Sequence, residues 1–266
     1  MDEFTGNLEG KVAIITGSSR GIGASIATTL AQHGAAVVIH YINSAFTAKS
    51  LAKQINKEYD VATYSIQADI SKPEDVARLF EQTVKVMGAP DIVVSNAGIE
   101  HFSDLSTVTP EEIDHVFDVN VKGQFFVAQQ AEKFMKERGR LILTSSVSAV
   151  MGVPRHAIYA ASKAAVTGMT KCLAWDLGKK NITVNCIAAG GIKSDMYQRN
   201  AKEYMKDEKN LTMEELDARL SAWSPLGRVG MPDDIAGAVA LLVSDEAGWI
   251  TGQTLHVSGG AHMATA

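Results

Sequence analysis

The sequence predicts an α/β protein in which one domain, residues 1–266, forms a doubly wound parallel sheet. Short runs rich in β-branched residues alternate with longer segments of helical periodicity, which is typical of successive βαβ units. The predicted strands are almost continuously apolar, as expected where helices cover both faces of a sheet. Residues 190–231 break the alternation and predict a helical lid, because long irregular insertions in compact domains commonly close over a binding site.

The individual elements follow in order from this pattern. We predict at least six strands, at residues 12–15, 36–40, 62–67, 91–94, 140–143 and 183–187. Helices are predicted at residues 22–32 and 45–58, as a long segment after residue 109, and at residues 159–177. Ser71 and Thr109 each precede Pro and Glu in the pattern of a capped helix start. Ligands of such sheets bind at the carboxyl ends of the strands, so we expect functional residues just after each strand.

Composition excludes several classes of function. The 266 residues carry 25 Lys and Arg against 30 Asp and Glu, a net charge of -5, so they offer no basic surface to nucleic acid or anionic lipid. The longest apolar run, residues 235–243, is too short to span a membrane. Cys172 and Cys186 give neither a disulfide framework nor a metal-ligand spacing, and we interpret both as packing residues. We therefore expect a cytoplasmic protein with a small-molecule partner and no metal.

A glycine-rich loop lies between the first predicted strand and the first predicted helix. Residues 16–23 place Gly17, Gly21 and Gly23 where the chain turns from strand into helix. Glycines let the backbone turn sharply and approach a pyrophosphate, and the helix N-terminus attracts negative charge. A glycine-rich turn alone is common, but its place in a βαβ unit predicts a nucleotide site of the Rossmann type.

The spacing of these glycines, with three residues between the first two, resembles the short-chain dehydrogenase/reductase family, and the likeness extends from Lys11 to Gly260. The resemblance implies a Rossmann fold and a dinucleotide cofactor. Segments that follow successive strands are implied to hold its adenine, ribose and nicotinamide. The implied cofactor-binding residues are Gly17, Ser19, Arg20, Gly21, Ile22, Gly23, Tyr41, Asn43, Ser44, Asp69, Ile70, Asn96, Ala97, Gly98, Tyr159, Lys163, Ile192 and Ser194.

The residues after the second strand indicate which dinucleotide is bound. Sites that prefer NAD usually place a carboxylate there, on the ribose 2′-hydroxyl, but no acidic residue occurs between this strand and Glu58. Arg20 puts a cation at a helix N-terminus, which the helix dipole disfavours unless an anion binds nearby. In the resembled family, a basic residue at this position and a Tyr-x-Asn-Ser segment accompany NADP preference. We therefore expect NADP(H); the alternative is that Arg20 is a solvated surface residue.

Tyr159 and Lys163 lie four residues apart on a predicted helix, so their side chains share one face. An adjacent ammonium favours the phenolate, which predicts that Lys163 lowers the pKa of Tyr159 and makes it a usable acid or base. On spacing alone, an exposed tyrosine beside a solvated lysine is the commoner arrangement. The resemblance adds Ser146 and Asn120 as the remaining catalytic positions, although Ser145 and Ser148 lie close to Ser146.

The resemblance also implies the reaction. NADPH gives a hydride to a carbonyl carbon, Tyr159 protonates the developing alkoxide, and Ser146 hydrogen-bonds the same oxygen. Lys163 is expected to hold the nicotinamide ribose as well, and Asn120 to keep the lysine's proton relay connected through water.

The lid carries aromatic and methionine residues, which suit a flat apolar ligand but equally suit packing of the lid on the body. The segments around Tyr204 and Trp223 resemble fungal polyhydroxynaphthalene reductases and related anthrol or 17β-hydroxysteroid reductases. In those enzymes the two residues shape the aromatic pocket, and a methionine like Met263 reaches towards it. The implied substrate residues are Ser146, Tyr159, Gly191, Met196, Tyr204, Trp223 and Met263.

The sequence is compatible with three functions. The favoured one is NADPH-dependent reduction of a phenolic polycyclic ketone to a secondary alcohol in aromatic polyketide metabolism. The second is a broad ketone reductase or a 3-oxoacyl thioester reductase. The third is an NADP-binding sensor or scaffold, against which the retained Ser146, Tyr159 and Lys163 argue. The resemblance also implies a homotetramer, built partly from the long helices after Thr109 and through Tyr159.

Overall fold

The structure, a computed structural model, describes residues 7–205 and 211–263, so residues 206–210 of the predicted lid lie outside it. The strands in the described ranges are β1 (Val12–Ile15), β2 (Ala36–Tyr41), β3 (Thr63–Gln67), β4 (Ile92–Ser95), β5 (Arg140–Ser146), β6 (Thr183–Ala189) and β7 (Thr254–Val257). All are parallel and pair in the order β3-β2-β1-β4-β5-β6-β7. The direction of winding reverses between β1 and β4, which is where sheets of this kind bind ligands.

Helices cover both faces of the sheet, which confirms the predicted doubly wound α/β fold. They are α1 (Gly21–Gln32), α2 (Ala45–Tyr59), α3 (Pro73–Met87), α4 (Pro110–Phe117), α5 (Gly123–Phe134), α6 (Ala157–Leu177), α7 (Asp195–Tyr204), α8 (Met213–Ser221) and α9 (Pro232–Val243).

Two hydrophobic cores form because alternate residues of a strand point to opposite faces. Ala13 and Ile15 of β1 join one core with buried residues of α1, α2 and α9. Ile14 joins the other core with buried residues of α3, α5 and α6. The five strands β1, β2, β4, β5 and β6 thus contribute apolar side chains to both cores, which explains their continuous apolar runs in the sequence.

Two elements differ from the sequence prediction. A seventh strand, β7, pairs with the edge of β6; it was not predicted because its Thr, His and Val are only partly buried, its Leu is exposed, and it lacks a continuous apolar run. The single long helix predicted after Thr109 is instead interrupted by a π-helical turn at Asp118–Lys122 between α4 and α5.

The two predicted helix starts have different outcomes. Thr109 caps α4 in a capping box with Glu112, as predicted. The prediction for Ser71 is wrong: the N-cap of α3 is Lys72, and the Ser71 hydroxyl donates to Asp69 Oδ1 at 2.7 Å. A hydroxyl that already has a nearby carboxylate as acceptor is drawn away from the helix end.

The segment predicted as a lid, which keeps that name below, contains α7 and α8. Tyr197, Ala201, Leu216 and Val229 form a small core of their own, and a β-bridge between Ile192 and Gly230 joins its two ends. Within the described part of the chain, no helix is both long and apolar enough to cross a membrane. Cys186 is buried as predicted, whereas Cys172 is exposed on α6, so the packing role predicted for it is wrong.

Candidate active site

A cavity of about 770 Å³ opens at the carboxyl ends of the strands beneath the lid. Every predicted cofactor residue lines it. So do Ser146, Tyr159 and Lys163, and all the predicted substrate residues except Met263. The cavity therefore joins the glycine loop at one end to the aromatic lid residues at the other.

The glycine loop requires glycine at two positions. Gly17 has φ +65°, and a Cβ on it would lie 2.9 Å from Ala97 Cα. A Cβ on Gly23 would overlap the carbonyl oxygen of Gly17. Arg20 occupies the N-cap of α1 without a capping hydrogen bond from its side chain, so it offers no acceptor to the N–H groups of the first turn. The backbone thus forms a cradle suited to a pyrophosphate.

Residues of the neighbouring strands hold this loop in place. The Asn96 side chain donates to the Thr16 carbonyl at 3.0 Å, and the Thr16 hydroxyl accepts from the backbone N–H groups of Asn96 and Ala97 at 2.9 and 3.0 Å. These bonds connect the loop after β1 to the loop after β4, across the point where the sheet reverses its winding.

His40 is a site residue that the sequence analysis counted only as part of a strand. Its Nδ1 accepts a hydrogen bond from the Gly17 N–H at 2.8 Å, and its Nε2 lies 2.9 Å from the Ala68 carbonyl oxygen. Burial lowers the pKa of His40 to about 4, so the ring is neutral at physiological pH, with Nε2 as the donor. A lone histidine within an apolar strand was the available sequence signal.

Arg20 lines the same cavity as Tyr41, Asn43 and Ser44, the other residues predicted to bind a 2′-phosphate. Its guanidinium Nε is 3.4 Å from a carboxylate oxygen of Asp195, and both side chains are about half exposed. An exposed pair of this kind contributes little to stability, so the guanidinium is available to an anion.

Tyr159, Lys163 and Ser146 meet inside the cavity. The Lys163 ammonium lies 5.6 Å from the centre of the Tyr159 ring and donates to the Thr144 carbonyl at 3.1 Å. Ser146 lies near enough to Tyr159 to lower the pKa of that phenol, and its hydroxyl donates to the Ser148 hydroxyl at 3.2 Å. The Ser145 hydroxyl instead donates to the Lys163 carbonyl at 2.7 Å. Ser145 is therefore a poorer candidate than Ser146 for the catalytic serine.

Burial controls the protonation of this pair. It raises the pKa of Tyr159 above its usual value, the Glu100 charge adds to the increase, and the hydrogen bond with Ser146 opposes it. Burial also lowers the pKa of Lys163 to about 8. The sequence analysis predicted a lowered tyrosine pKa; that prediction is wrong for this structure, because burial disfavours the charged phenolate and the Glu100 carboxylate adds to the effect.

Asn120 lies behind the cavity wall rather than on it. The side chain is buried in the π-helical turn, accepts from the Ile99 N–H and donates to the Ile99 carbonyl, both at 2.9 Å. A Cβ on Gly98 would lie 3.1 Å from Asn120 Oδ1 and 3.2 Å from Lys163 Nζ. The Asn120 amide oxygen and the Lys163 ammonium therefore both lie next to Gly98, in the loop after β4.

The lid end of the cavity is aromatic. The ring of Tyr204 meets the ring of Trp223 edge-on at 6.4 Å, and His156 lies 4.5 Å from the ring of Tyr159. The predicted role of Met263 is not supported: its side chain is two-thirds exposed (66%) and does not line the cavity, because it packs beside Gly260.

Glu100 is a second cavity residue that the sequence analysis missed. It lies in the loop after β4, two residues beyond Gly98, and accepts hydrogen bonds from Tyr204 and Asn200 of α7. The sequence does place this carboxylate just after a central strand, where functional residues are expected, and that position could have identified Glu100.

Comparison with known proteins agrees with this geometry. Residues 17–262 match the family described as enoyl-(acyl carrier protein) reductase. The chain is 49% identical over 256 residues to versicolorin reductase 1 of Aspergillus parasiticus, covering 96% of this chain and 97% of that protein. It is 45% identical over 259 residues to tetrahydroxynaphthalene reductase of Pyricularia oryzae, covering 97% and 91%.

A solved structure matches in shape as well. A short-chain dehydrogenase from Burkholderia cenocepacia, in complex with NADP, superimposes with a TM-score of 0.86 at 36% identity, covering 96% of this chain and 99% of that one. The chain therefore belongs to the short-chain dehydrogenase/reductase family of oxidoreductases.

Proposed function

We propose that this protein is an NADPH-dependent reductase that converts the keto form of a polyhydroxylated, ring-fused aromatic compound into a secondary alcohol. One observation carries the proposal: buried Tyr159 stands in a single cavity between a phosphate-binding loop and an aromatic lid. The whole chain, residues 1–266, acts as one dinucleotide-binding and catalytic domain, with residues 190–231 as its lid.

The residues present fit NADP(H). The cradle around Gly17 and Gly23 leaves room for a pyrophosphate where any side chain would clash. Arg20 offers a cation to a 2′-phosphate, Tyr41, Asn43 and Ser44 line the same cavity, and the segment after β2 carries no carboxylate before Glu58. Asp69 and Ile70 line the adenine part, Asn96, Ala97 and Gly98 the ribose part, and Ile192 and Ser194 the nicotinamide part. The NADP complex of the Burkholderia relative supports this assignment.

The chain's own residues supply the proton chemistry. When bound, the cofactor supplies a hydride to the carbonyl carbon. Tyr159 is protonated at neutral pH, as a phenol ordinarily is, and it donates its proton to the carbonyl oxygen as that oxygen gains charge. Ser146 hydrogen-bonds the same oxygen. Lys163, whose ammonium is held by the Thr144 carbonyl, favours the phenolate left behind, and Asn120 orders the region around that ammonium.

The substrate class follows from the lid end. Tyr204 and Trp223 present aromatic faces and edges to a planar ligand, Met196 adds an adaptable apolar surface, and Gly191 leaves the wall open. The names of the relatives, versicolorin reductase and tetrahydroxynaphthalene reductase, describe reductases of such compounds. We propose that this chain acts on the same class, as a cytoplasmic homotetramer.

Initial rates of NADPH oxidation test the proposal. The panel contains a hydroxylated bicyclic ketone, a steroid ketone, a 3-oxoacyl thioester and a simple aryl ketone, and NADH replaces NADPH in a parallel series. We expect selective turnover of the bicyclic phenolic ketone with NADPH. Turnover of the thioester, or equal turnover of all ketones, would contradict the substrate class and support the broader reductase.

The Tyr159→Phe variant is the matched control for the chemistry. It removes one oxygen and keeps the ring, so we expect a loss of about a hundredfold to ten-thousandfold in turnover. NADPH binding, followed by fluorescence, should persist. Full activity in this variant would exclude Tyr159 as the acid.

A further inference from the structure

Glu100 is a buried carboxylate in a cavity that has aromatic rings at the same end. Its side chain is 6% exposed, and it lines the cavity together with Tyr159, Tyr204 and Trp223. Burial raises the pKa of Glu100. A carboxylate is costly to bury unless donors surround it, so its partners indicate what it does.

Two neutral donors of the lid hold this carboxylate. The Tyr204 hydroxyl donates to Oε1 at 2.5 Å and the Asn200 amide donates to Oε2 at 2.7 Å. A carboxylate accepts about four hydrogen bonds, so each oxygen retains capacity for another donor. His156 does not supply one, because its Nε2 lies 3.7 Å from Oε1 and forms no hydrogen bond.

Cations do not neutralise Glu100 at close range. Among the residues that the structure describes, no lysine or arginine lies within ion-pair distance of it, and Lys163 acts on it only from farther away. Burial holds the pKa of His156 at about 4, so that ring is uncharged at physiological pH. The charge of Glu100 also raises the pKa of Tyr159, and both residues line the same cavity.

We propose that Glu100 is a specificity-determining residue: it accepts a hydrogen bond from a ring hydroxyl of the substrate, so that the site selects hydroxylated aromatic ketones over the same ketones without that hydroxyl. This inference rests on the proposed function and names what the pocket recognises besides the carbonyl. A phenolic hydroxyl is a strong donor, and hydrogen bonds to charged acceptors are stronger than those between neutral groups. An unsubstituted ring would leave the acceptor buried without a third donor, which costs binding energy.

The competing explanation is purely structural. Glu100 also connects the loop after β4 to α7, so a substitution could act by loosening the lid. Loosening the lid would affect all substrates alike, whereas loss of a specific acceptor affects only the substrates that carry the hydroxyl. The ratio of kcat/KM for two such substrates therefore separates the two roles.

The experiment compares 2-tetralone with derivatives that carry one hydroxyl at each aromatic position in turn. For the wild type with NADPH, we expect the best hydroxylated ketone to exceed 2-tetralone in kcat/KM by about 10- to 100-fold. In Glu100→Gln, which keeps the side-chain size, this ratio should fall towards one. Calorimetry with the non-reducible ligand 2-naphthol should show a matching loss of affinity in the variant.

Asn200→Ala is the matched control, because it weakens the connection to the lid and leaves the carboxylate in place. We expect it to keep most of the wild-type ratio. An unchanged ratio in Glu100→Gln, or an equal collapse in Asn200→Ala, would overturn the inference and leave the proposed function standing. Absence of turnover of every ketone by the wild type would overturn both. If Glu100→Gln does not fold, Glu100→Asp, shorter by one methylene, should reduce the ratio instead.

Discussion

His40 illustrates how one buried side chain supports a site without touching the reacting atoms. Its ring joins the Gly17 N–H to the Ala68 carbonyl, and so connects the glycine loop to the end of β3. Only the neutral ring can accept from Gly17, because the protonated ring has donors alone. The loop's position therefore depends on the protonation of His40.

This dependence predicts a loss of stability in acid. The pKa of His40 falls from 6.5 to about 4 on folding, so between these values the unfolded chain binds more protons than the folded one. Stability therefore rises with pH across this window and is lost as the pH falls through it. The contribution amounts to roughly 3 kcal/mol. Urea unfolding of the wild type at pH 7, 6, 5 and 4 should show the loss, in addition to that from His156.

The variant His40→Asn should flatten this dependence, because the group that titrates is gone. His33→Asn, which removes a histidine outside the buried network, is its matched control and should keep the wild-type slope. Equal slopes in wild type and His40→Asn would contradict the assignment.

For Tyr159, the sequence indicates the neighbouring lysine but not the burial that sets the pKa of the phenol. The four-residue spacing to Lys163 is visible in the sequence, and the structure does place the ammonium near the ring. Burial, which the spacing does not reveal, reverses the expected direction of the pKa. A phenol of ordinary pKa is already neutral at pH 7, so the increase does not create the acid form; proton donation depends on the Lys163 ammonium, which favours the phenolate left behind.

At the scale of elements, helix starts depend on what else a hydroxyl can reach. Thr109 forms a reciprocal capping box with Glu112. Ser71 has the Asp69 carboxylate two residues away and bonds to it instead. The same local pattern thus gives a cap in one place and a turn in the other.

The capping box predicts a measurable cost of its removal. Thr109→Ala should lower the free energy of unfolding by about 1 kcal/mol, because the N–H of Glu112 loses its acceptor. Thr109→Ser keeps the hydroxyl and should retain most of the stability. Urea unfolding at pH 7 measures both, and identical midpoints for the Ala and Ser variants would show that the cap contributes nothing.

The π-helical turn at Asp118–Lys122 is an element that periodicity alone does not reveal. It shifts the helix register by one residue and places Asn120 against the Ile99 backbone. Such insertions are frequent at functional sites. The apolar residues before and after this turn still have the spacing of one continuous helix, so the sequence predicts a single long segment.

At the scale of the whole molecule, α6 presents an exposed stripe of small residues. Ala161, Ala164 and Gly168 lie along it at helical spacing, and Trp175 follows with 86% of its surface exposed. A large exposed aromatic beside small residues suits close packing of a second helix. The stripe supports the proposed homotetramer, in which α6 of one copy packs on another.

Light scattering on the purified protein tests this assembly. We expect a mass about four times 28.4 kDa. Ala164→Arg should reduce it, because the bulky charge occupies the stripe. Ser50→Arg, on the exposed face of α2, is the matched control and should leave the mass unchanged. A monomeric wild type would exclude the tetramer.

The sequence by itself determined the alternation of strands and helices, the glycine loop and the Tyr159–Lys163 spacing. These are local patterns, and their physical causes act within a few residues: side-chain periodicity, the freedom of glycine and the i,i+4 geometry of a helix. It also placed the cofactor residues at strand ends, which parallel topology brings to one edge.

Only the tertiary structure decided the rest. His40, Glu100 and Asn200 come from distant segments, and nothing in their local sequence indicates the partners that they meet. Met263, expected at the pocket, lies outside it. Burial reversed the predicted pKa direction of Tyr159, because desolvation depends on everything packed around a group and not on its neighbours in the chain.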